Sequence, residues 1–495
     1  MRVLMFFTVL MPFTVTALVA PFSQPSPLKF EAIDPEHLSA AATFANAWAD
    51  FDNDDDLDLF VGLNGAPNRL YRNDKGALTD VAAAVGLADA RPTRAAAWGD
   101  MDADGDADLL VGFAVGAGSV LKLYRNDRRA FVDVTAGAGL AIDAGAVRQP
   151  AWVDFDSDGD LDLFVAFRDR PNALFRNEGG RLIDIAASVG VADPRRTVGA
   201  VWFDFDEDGD LDLYVANMDG DANGLFRNDA GKFTDVAVQA GAAWAGRAPS
   251  VATNGTVRPC PVDVNNDGRL DLVGANYGPI GLLLNRSKGA FEDVSSAWKI
   301  AIDGRYDTCA PADVDHDGNI DLYVNGTVTG GQNYRDYLLR NTGKTFEDAT
   351  PEALRPLNAD HGAAWGDVDG DGDLDLALTG VGTQPMPLLF RNLLPQETAA
   401  RSIFVRVIDG RGRATMAGAE VRVYSVEPRR LLGTRLVDSG SGYNTQDAAP
   451  VHFGLPTADL VEIEVIWPGN GRRTKPLPRI VSPQISRIVT IVVMK

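Results

Sequence analysis

The chain has little cysteine, little histidine and too few basic residues to balance its acids. Its 495 residues include 2 Cys and 4 His, and 46 Lys and Arg stand against 69 Asp and Glu, which gives a net charge of −23. This balance excludes nucleic acid as a partner, because binding to phosphates needs a basic face. None of the histidines stands in a metalloprotease or nucleophile-elbow motif, so the sequence offers no catalytic residue to single out and favours a non-enzymatic role.

Long apolar runs are nearly absent as well. The one exception is the uncharged stretch from Val3 to Ala20, which follows Met1-Arg2 and predicts a secretory signal peptide over residues 1–20. Because the run has about the minimum length for a membrane span, an uncleaved anchor stays open as the alternative. We therefore expect a secreted chain, extracellular or periplasmic, with no membrane contact beyond this segment.

What the chain has in abundance is one acidic loop, written seven times as Asp-x-Asp-x-Asp-Gly-x-x-Asp and followed by an apolar strand. Successive loops start 50, 54, 50, 59, 50 and 54 residues apart. Side-chain oxygens fall at positions 1, 3, 5 and 9, and position 7 offers its backbone carbonyl. Hard divalent cations prefer six to eight oxygen ligands, so the pattern predicts up to seven Ca²⁺ ions. The alternative is a set of acidic, solvated turns without metal.

The predicted metal ligands are the residues at these five positions in each loop. They are Asp50, Asp52, Asp54, Asp56 and Asp58; Asp100, Asp102, Asp104, Asp106 and Asp108; Asp154, Asp156, Asp158, Asp160 and Asp162; Asp204, Asp206, Asp208, Asp210 and Asp212; Asp263, Asn265, Asp267, Arg269 and Asp271; Asp313, Asp315, Asp317, Asn319 and Asp321; and Asp367, Asp369, Asp371, Asp373 and Asp375.

Four details of the loops qualify this prediction. No loop has the Glu at position 12 that an EF-hand requires, and strands rather than helices follow, so these are not EF-hands. The fifth loop should bind most weakly because it carries Asn265 and the cationic Arg269. The first loop has Asp55 where the others have the turn glycine, and we expect this replacement to strain the turn. His316, at position 4 of the sixth loop, is expected to face solvent.

Each loop belongs to a unit of about 50 residues that holds four short strands, which is the period and strand count of a β-propeller blade. The seventh unit stops after Arg391-Asn392 and lacks its fourth strand. That strand is found at the other end of the chain, in residues 30–34. The sequence therefore predicts an all-β fold with a seven-bladed propeller over residues 28–392, closed by the N-terminal strand.

The units resemble FG-GAP/VCBS repeats, the calcium-loop blades also found in integrin α-subunit heads. The rest of the chain resembles the ASPIC/UnbV domain on four stretches, Gly418–Val423, Ser439–Tyr443, His452–Leu455 and Val465–Gly469. The whole arrangement is similar to the cartilage acidic protein family. The resemblance implies an extracellular, calcium-binding protein without a defined enzymatic activity. Residues 393–401 are expected to be a linker and 402–495 a small β-sandwich or barrel that docks on the propeller.

The two cysteines occupy nearly the same place in adjacent units. Cys260 stands three residues before the fifth loop and Cys309 four residues before the sixth. Equivalent positions on neighbouring inner strands lie close together, so a disulfide is reasonable in an oxidising compartment. Two buried free thiols are the alternative.

Several cations should gather at one mouth of the central channel, opposite the acidic loops. Arg94, Arg148 and His361 stand six residues before their loops, and Arg258 and Arg305 stand five and eight residues before theirs. Either they bind an anionic ligand, such as an acidic sugar or a carboxylate, or they pair with neighbouring acids.

For function, the sequence favours an extracellular binding or adhesion module with a protein or glycan partner. The alternatives are an extracellular enzyme that acts on a polysaccharide at a propeller mouth and a purely structural component. A cluster of Arg, His and Tyr in the channel would favour the enzyme.

Overall fold

The computed structural model describes residues 27–116, 118–249, 251–329, 332–357, 360–380, 382–484 and 487–494. The predicted signal peptide lies outside these residues. The described chain is almost entirely β, with short helices at Ala82–Val85, Ala186–Val189 and Gln396–Ala399. None of the described helices is long and apolar enough to cross a bilayer.

Most strands form seven antiparallel four-stranded units, which we call blades 1 to 7. From the channel outward their strands are Thr43–Ala49, Asp58–Leu63, Arg69–Asp74 and Ala77–Asp80; Thr93–Gly99, Asp108–Phe113, Leu121–Asn126 and Phe131–Asp133; Val147–Val153, Asp162–Phe167, Ala173–Asn177 and Leu182–Asp184; Thr197–Phe203, Asp212–Asn217, Gly224–Asp229 and Lys232–Asp235; Gly255–Val262, Asp271–Pro279, Gly281–Ser287 and Ala290–Asp293; Asp303–Ala312, Asp321–Gly326, Tyr337–Asn341 and Phe346–Asp348; and Asp360–Gly366, Asp375–Gly380, Leu389–Asn392 and Phe30–Ala32.

The N-terminal strand closes the ring, as predicted. Phe30–Ala32 pairs antiparallel with Leu389–Asn392, with Phe30 opposite Asn392. The innermost strand of each blade contacts that of the next, and the innermost strand of blade 7 contacts that of blade 1. Closure removes the exposed sheet edges that an open propeller would leave. The seven-bladed propeller is thus confirmed.

Tryptophans on the innermost strands pack the blades against one another. Trp48, Trp98, Trp152 and Trp202 are fully buried. Trp98 meets Phe60 of the preceding blade edge-on with ring centroids 6.5 Å apart, and Trp202 meets Phe164 likewise at 5.8 Å. Each buried aromatic side chain contributes about 2 kcal/mol through the hydrophobic effect.

A disulfide joins blades 5 and 6. Cys260 and Cys309 are bonded, with their Cα atoms 6.3 Å apart. The end of the second strand of blade 5 also pairs with the start of the innermost strand of blade 6, at Tyr277 opposite Arg305. The predicted disulfide is confirmed.

The C-terminal domain is a small sandwich of two sheets that share one apolar core. One sheet is ordered Val451–Gly454, Ser402–Asp409 and Ile488–Val493; the other is ordered Arg430–Leu436, Glu420–Ser425 and Val461–Gly469, and Val461–Gly469 also pairs with Arg472–Thr474 and Arg479–Val481. Short strand pairs elsewhere join Ser39–Ala40 to Met386–Pro387 and Val328–Thr329 to Gln332–Asn333.

One loop of this domain, residues 438–448, enters the central channel and is called the plug. Its short strand Thr445–Gln446 pairs in parallel with the innermost strand of blade 2. Gln446 exchanges two hydrogen bonds with the backbone of Trp152, at 2.6 and 3.0 Å. Ser439 donates to the carbonyl of Trp202 at 2.5 Å. The plug supplies partners for backbone groups that line the channel, which would otherwise be buried without any.

Candidate functional site

The acidic loops all lie at the end of the innermost strands, on one face of the propeller. In loops 1, 2, 3, 4 and 6 the carboxylates at positions 1, 3 and 9 converge, with one oxygen from each within 4.8 Å of the others; the first such set is Asp50, Asp52 and Asp58. The structure therefore brings together three of the four carboxylate positions predicted to bind metal.

Positions 5 and 7 lie at the rim of each loop. All seven position-5 carboxylates accept a hydrogen bond from the position-7 backbone N–H, at 2.8 to 3.0 Å. Several position-7 side chains turn away from the cluster. For example, Asp56 accepts from the backbone of Lys75 and Asp373 from that of Leu394.

A ring of seven asparagines holds the loops in place, a role that the sequence analysis did not predict. In every blade, the Asn near the end of the third strand donates its backbone N–H to the position-9 carboxylate at 2.7 to 2.9 Å. Its side-chain amide donates to the position-2 carbonyl of the preceding blade at 2.8 to 3.2 Å. These residues are Asn73, Asn126, Asn177, Asn228, Asn285, Asn341 and Asn392. The Arg-Asn pair that recurs in most units is the sequence signal that could have identified these asparagines.

The loops fit a cation. Buried carboxylate oxygens of Asp52, Asp156, Asp162 and Asp315 have no hydrogen-bond donor among the described residues. Burial, with further contributions from the neighbouring carboxylates, raises the pKa of Asp58 to about 8 and that of Asp162 to about 9. Buried anionic oxygens without donors are costly unless a cation neutralises them. Positions 1, 3 and 9 would hold the ion.

Two residues in each loop adopt left-handed backbone. At position 6 the glycines and Asp55 all have positive φ, with Asp55 at 71°. Position 4 does too, at 54 to 72°, in Asn53, Ala103, Ser157, Glu207, Asn266, His316 and Gly370. Non-glycine residues there carry a steric cost of about 1–2 kcal/mol. The sequence signalled the first position by its glycines but not the second, where residue types vary.

Cationic side chains lie beside the ligand carboxylates of several loops. In loop 5 the guanidinium of Arg269 bonds Asp267, and the Asn265 amide donates to the same carboxylate at 3.1 Å. In loop 4, Arg473 of the C-terminal domain lies 3.1 Å from the buried Asp204. Arg129 likewise lies 3.3 Å from Asp52 in loop 1, and Arg391 lies 2.9 Å from Asp369 in loop 7. Because a positive charge beside the ligands opposes cation binding, loops 1, 4 and 7 join loop 5 as predicted weaker sites.

The C-terminal domain covers the loop face. Arg406 pairs with Asp55 of loop 1 at 2.9 Å, Arg413 with Asp160 of loop 3 at 3.2 Å. His316 of loop 6 is buried, bonded to the carbonyl of Thr398 at 2.9 Å. The expectation that it faces solvent was wrong, because the domain packs over it.

The opposite mouth is lined by bulged residues. Every innermost strand has a register shift at the same point, six residues before its loop. Bulges re-aim side chains and are frequent next to functional sites. We call these residues the mouth ring: Phe44, Arg94, Arg148, Val198, Val257, Asp307 and His361.

The tip of the plug, Tyr443, reaches the mouth ring. Its ring stacks on His361 with centroids 4.7 Å apart and an interplanar angle of 4°. His361 stacks in turn on Phe44 at 5.2 Å, and its Nδ1 bonds the carboxylate of Asp307. Sequence reasoning identified the Ser439–Tyr443 stretch only as a family signature and did not place it here.

Two of the predicted mouth cations lie elsewhere. Arg258 is fully buried in the channel, where its guanidinium bonds Gln149 and the carbonyl of Gly440. It stands one residue past the bulge, so its side chain takes a different direction from that of Val257. Arg305 lies outside the ring, over the face of Tyr277 at 5.5 Å.

Matches to family models agree with this architecture. FG-GAP-like repeats match residues 30–111, 154–215, 263–324 and 327–378, and ASPIC and UnbV matches 410–485. Human cartilage acidic protein 1 is 27% identical over 68% of this chain and 43% of its own length. The mouse protein is 27% identical over 70% of this chain and 55% of its own length. The chain thus spans about half the length of these curated relatives.

The solved structures that match this chain are distant from it in sequence. BBS1N in complex with ARL6DN, soaked with lead, is 13% identical with a TM-score of 0.47, over 75% of this chain and 98% of the other. The exotype rhamnogalacturonan lyase YesX is 10% identical with a TM-score of 0.40, over 75% of both chains. The repeats, matched over more than half of the chain, and the C-terminal match together show that this protein belongs to the FG-GAP-like repeat family, with an ASPIC/UnbV domain and cartilage acidic protein 1 among its relatives.

Proposed function

We propose that the chain is a secreted propeller whose acidic loops bind calcium and whose free mouth binds an extracellular protein or glycan. The observation that supports this proposal is the difference between the two faces of the propeller. The C-terminal domain covers the loop face and contacts loops 1, 3 and 4 through Arg406, Arg413 and Arg473. The opposite mouth keeps half-buried arginines and Tyr443 at its surface.

Calcium is the ion that the loops favour. Their ligands are oxygens only, on flexible turns, and Ca²⁺ accepts six to eight such ligands in irregular geometry whereas Mg²⁺ demands a near-ideal octahedron. Unpartnered buried carboxylate oxygens support this assignment. Up to seven ions bind, with loop 5 the weakest because Arg269 and Asn265 occupy two of its own ligand positions.

Three features support secretion. The N-terminal apolar run has the pattern of a signal peptide. The Cys260–Cys309 disulfide belongs to an oxidising compartment. The relatives' name places them with cartilage, an extracellular tissue.

An enzyme that acts on an acidic polysaccharide is the second candidate. Arg94, Arg148, His361 and Tyr443 do gather at one mouth, the arrangement expected of such an enzyme. However, both faces of the His361 ring are covered, by Phe44 and Tyr443, and its Nδ1 is held by Asp307. The covered ring faces favour binding over proton transfer, whereas the bond to Asp307 would also suit an acid–base histidine because it orients the imidazole. New reducing ends released from acidic polysaccharides by the wild-type chain, and lost in His361→Gln, would establish the enzyme instead.

The binding role is tested on glycan and protein arrays with the mature chain in calcium. A partner that uses the mouth is blocked when Arg196→Cys, beside the mouth and 54% exposed, carries a bulky maleimide. The matched control is Arg227→Cys, 40% exposed on a third strand and away from the mouth. Absence of any partner, or equal loss with both labels, would contradict the proposal.

A further inference from the structure

Two arginines of the mouth ring form no ion pair with any residue that the structure describes, although the protein is strongly acidic. Among the described residues neither Arg94 nor Arg148 forms an ion pair. Arg94 lies over the Phe44 ring at 4.1 Å, and Arg148 donates a hydrogen bond to the carbonyl of Val147 at 2.9 Å. By contrast, nearby Arg168 is paired with Asp219 at 3.2 Å. The usual explanation, pairing with neighbouring acids, therefore fails for these two.

Arg94 and Arg148 hold the equivalent bulge position on the innermost strands of adjacent blades. The Phe44 ring under Arg94 stacks on His361, and Tyr443 stacks on the same His361. Burial and the carboxylate of Asp307 raise the pKa of Tyr443, and the charges of Arg148 and Arg94 oppose that rise. Burial lowers the pKa of Arg94, and the charge of Arg148 lowers it further. Two like charges held together at a half-buried position repel each other unless an anion lies between them. The mouth ring thus has the electrostatics of an anion site with Tyr443 at its floor.

The remaining ring residues restrict the anion. Asp307 is buried and bonded to His361, which adds a negative charge to the wall and opposes a dianion such as phosphate. Val198 and Val257 pack with Tyr277 and Tyr443 into an apolar wall. Guanidiniums bind planar carboxylates through paired N–H bonds. A singly charged organic carboxylate matches the two arginines, the negative charge of Asp307 and the apolar wall.

We propose that the mouth ring binds the carboxylate of an organic acid, held by Arg94 and Arg148 and by the hydroxyl of Tyr443, with its carbon skeleton against Val198 and Val257. The inference rests on the proposed binding role and names the chemistry of its ligand. The carboxylate comes from a uronic acid of a glycan or from an acidic amino acid.

Calorimetric titration of the calcium-loaded chain with glucuronate, glutamate and neutral glucose tests the site. We expect one or both acids to bind and glucose not to. Arg94→Gln and Arg148→Gln each weaken binding about tenfold or more, since a charged hydrogen-bonding partner is removed. Arg148→Lys, which keeps the charge but not the fork, has a smaller effect. Arg227→Gln serves as control and leaves affinity unchanged, and unaltered melting midpoints show that the variants fold.

Binding of glucuronate alone identifies a sugar source, and binding of glutamate alone identifies an acidic peptide. Absence of binding by both acids at millimolar concentration, or equal affinity in wild type and the two Gln variants, overturns the site. The array experiment separates this failure from failure of the proposed function. An array partner that is indifferent to both Gln variants leaves the binding role standing and removes the carboxylate site, whereas an empty array removes the binding role itself.

Discussion

Replacing Asn177 by Ala should destabilise the propeller by about 3 kcal/mol. Asn177 is buried at 4% exposure, and its side-chain amide donates to the carbonyls of Met101 at 2.9 Å and Leu161 at 3.0 Å. Its side-chain oxygen accepts from the backbone of Gly180 at 2.7 Å. The substitution removes three bonds, and a buried group left without a partner costs about 1–3 kcal/mol. Part of this cost is recovered by local relaxation.

The measurement is urea unfolding in saturating calcium, compared with Asn64→Ala as a matched control. Asn64 is exposed and its side chain makes no hydrogen bond among the described residues, so its loss should change stability by less than about 0.5 kcal/mol. The slope of unfolding with urea should be the same in all three proteins, which shows that the same surface is exposed. If Asn177→Ala matches the control, the asparagine ring does not fasten the blades.

Three further outcomes follow from the geometry. Ala103→Gly should stabilise the chain by about 1 kcal/mol in the same assay, because its φ of 63° is strained for alanine; a loss of stability would contradict this. Gly209→Ala should disturb docking of the C-terminal domain more than Gly105→Ala, since an added Cβ meets a domain backbone nitrogen at 2.3 Å in the first and nothing within 4 Å in the second, at similar φ; equal melting midpoints would refute the docked arrangement. Cys260 and Cys309 should resist alkylation until reduced, and mass spectrometry that finds two free thiols would exclude the bridge.

The sequence predicts the repeated blades correctly but not the contacts between segments that lie far apart along the chain. Loop spacing and the displaced strand at Phe30 were enough to predict seven blades and their closure, because each unit carries its own strand and turn signals. The position of His316 was predicted wrongly because it is covered by Thr398, 82 residues later, and by His452 of the C-terminal domain, and nothing local records these contacts.

The predictions for single residues at the mouth show the same limit of sequence reasoning. Arg94 and Arg148 were located by counting residues, and the count was correct because both are bulged. The prediction for Arg258 was wrong because Arg258 stands one residue past the bulge. A shift of one residue in a strand turns the side chain to the opposite face. Tyr443 reaches the mouth only through the plug, whose small residues resemble an ordinary turn in the sequence.

Calcium binding is tested most directly by stripping the chain with a chelator and titrating calcium back, while bound metal and the melting midpoint are recorded. We predict that several ions bind per chain, up to seven, and that the midpoint rises with occupancy. At ten to a hundred times its dissociation constant each ion should add about 1.4–2.7 kcal/mol. A chain that takes up no calcium, or melts at the same temperature with and without chelator, would contradict the assignment of the acidic loops as calcium sites.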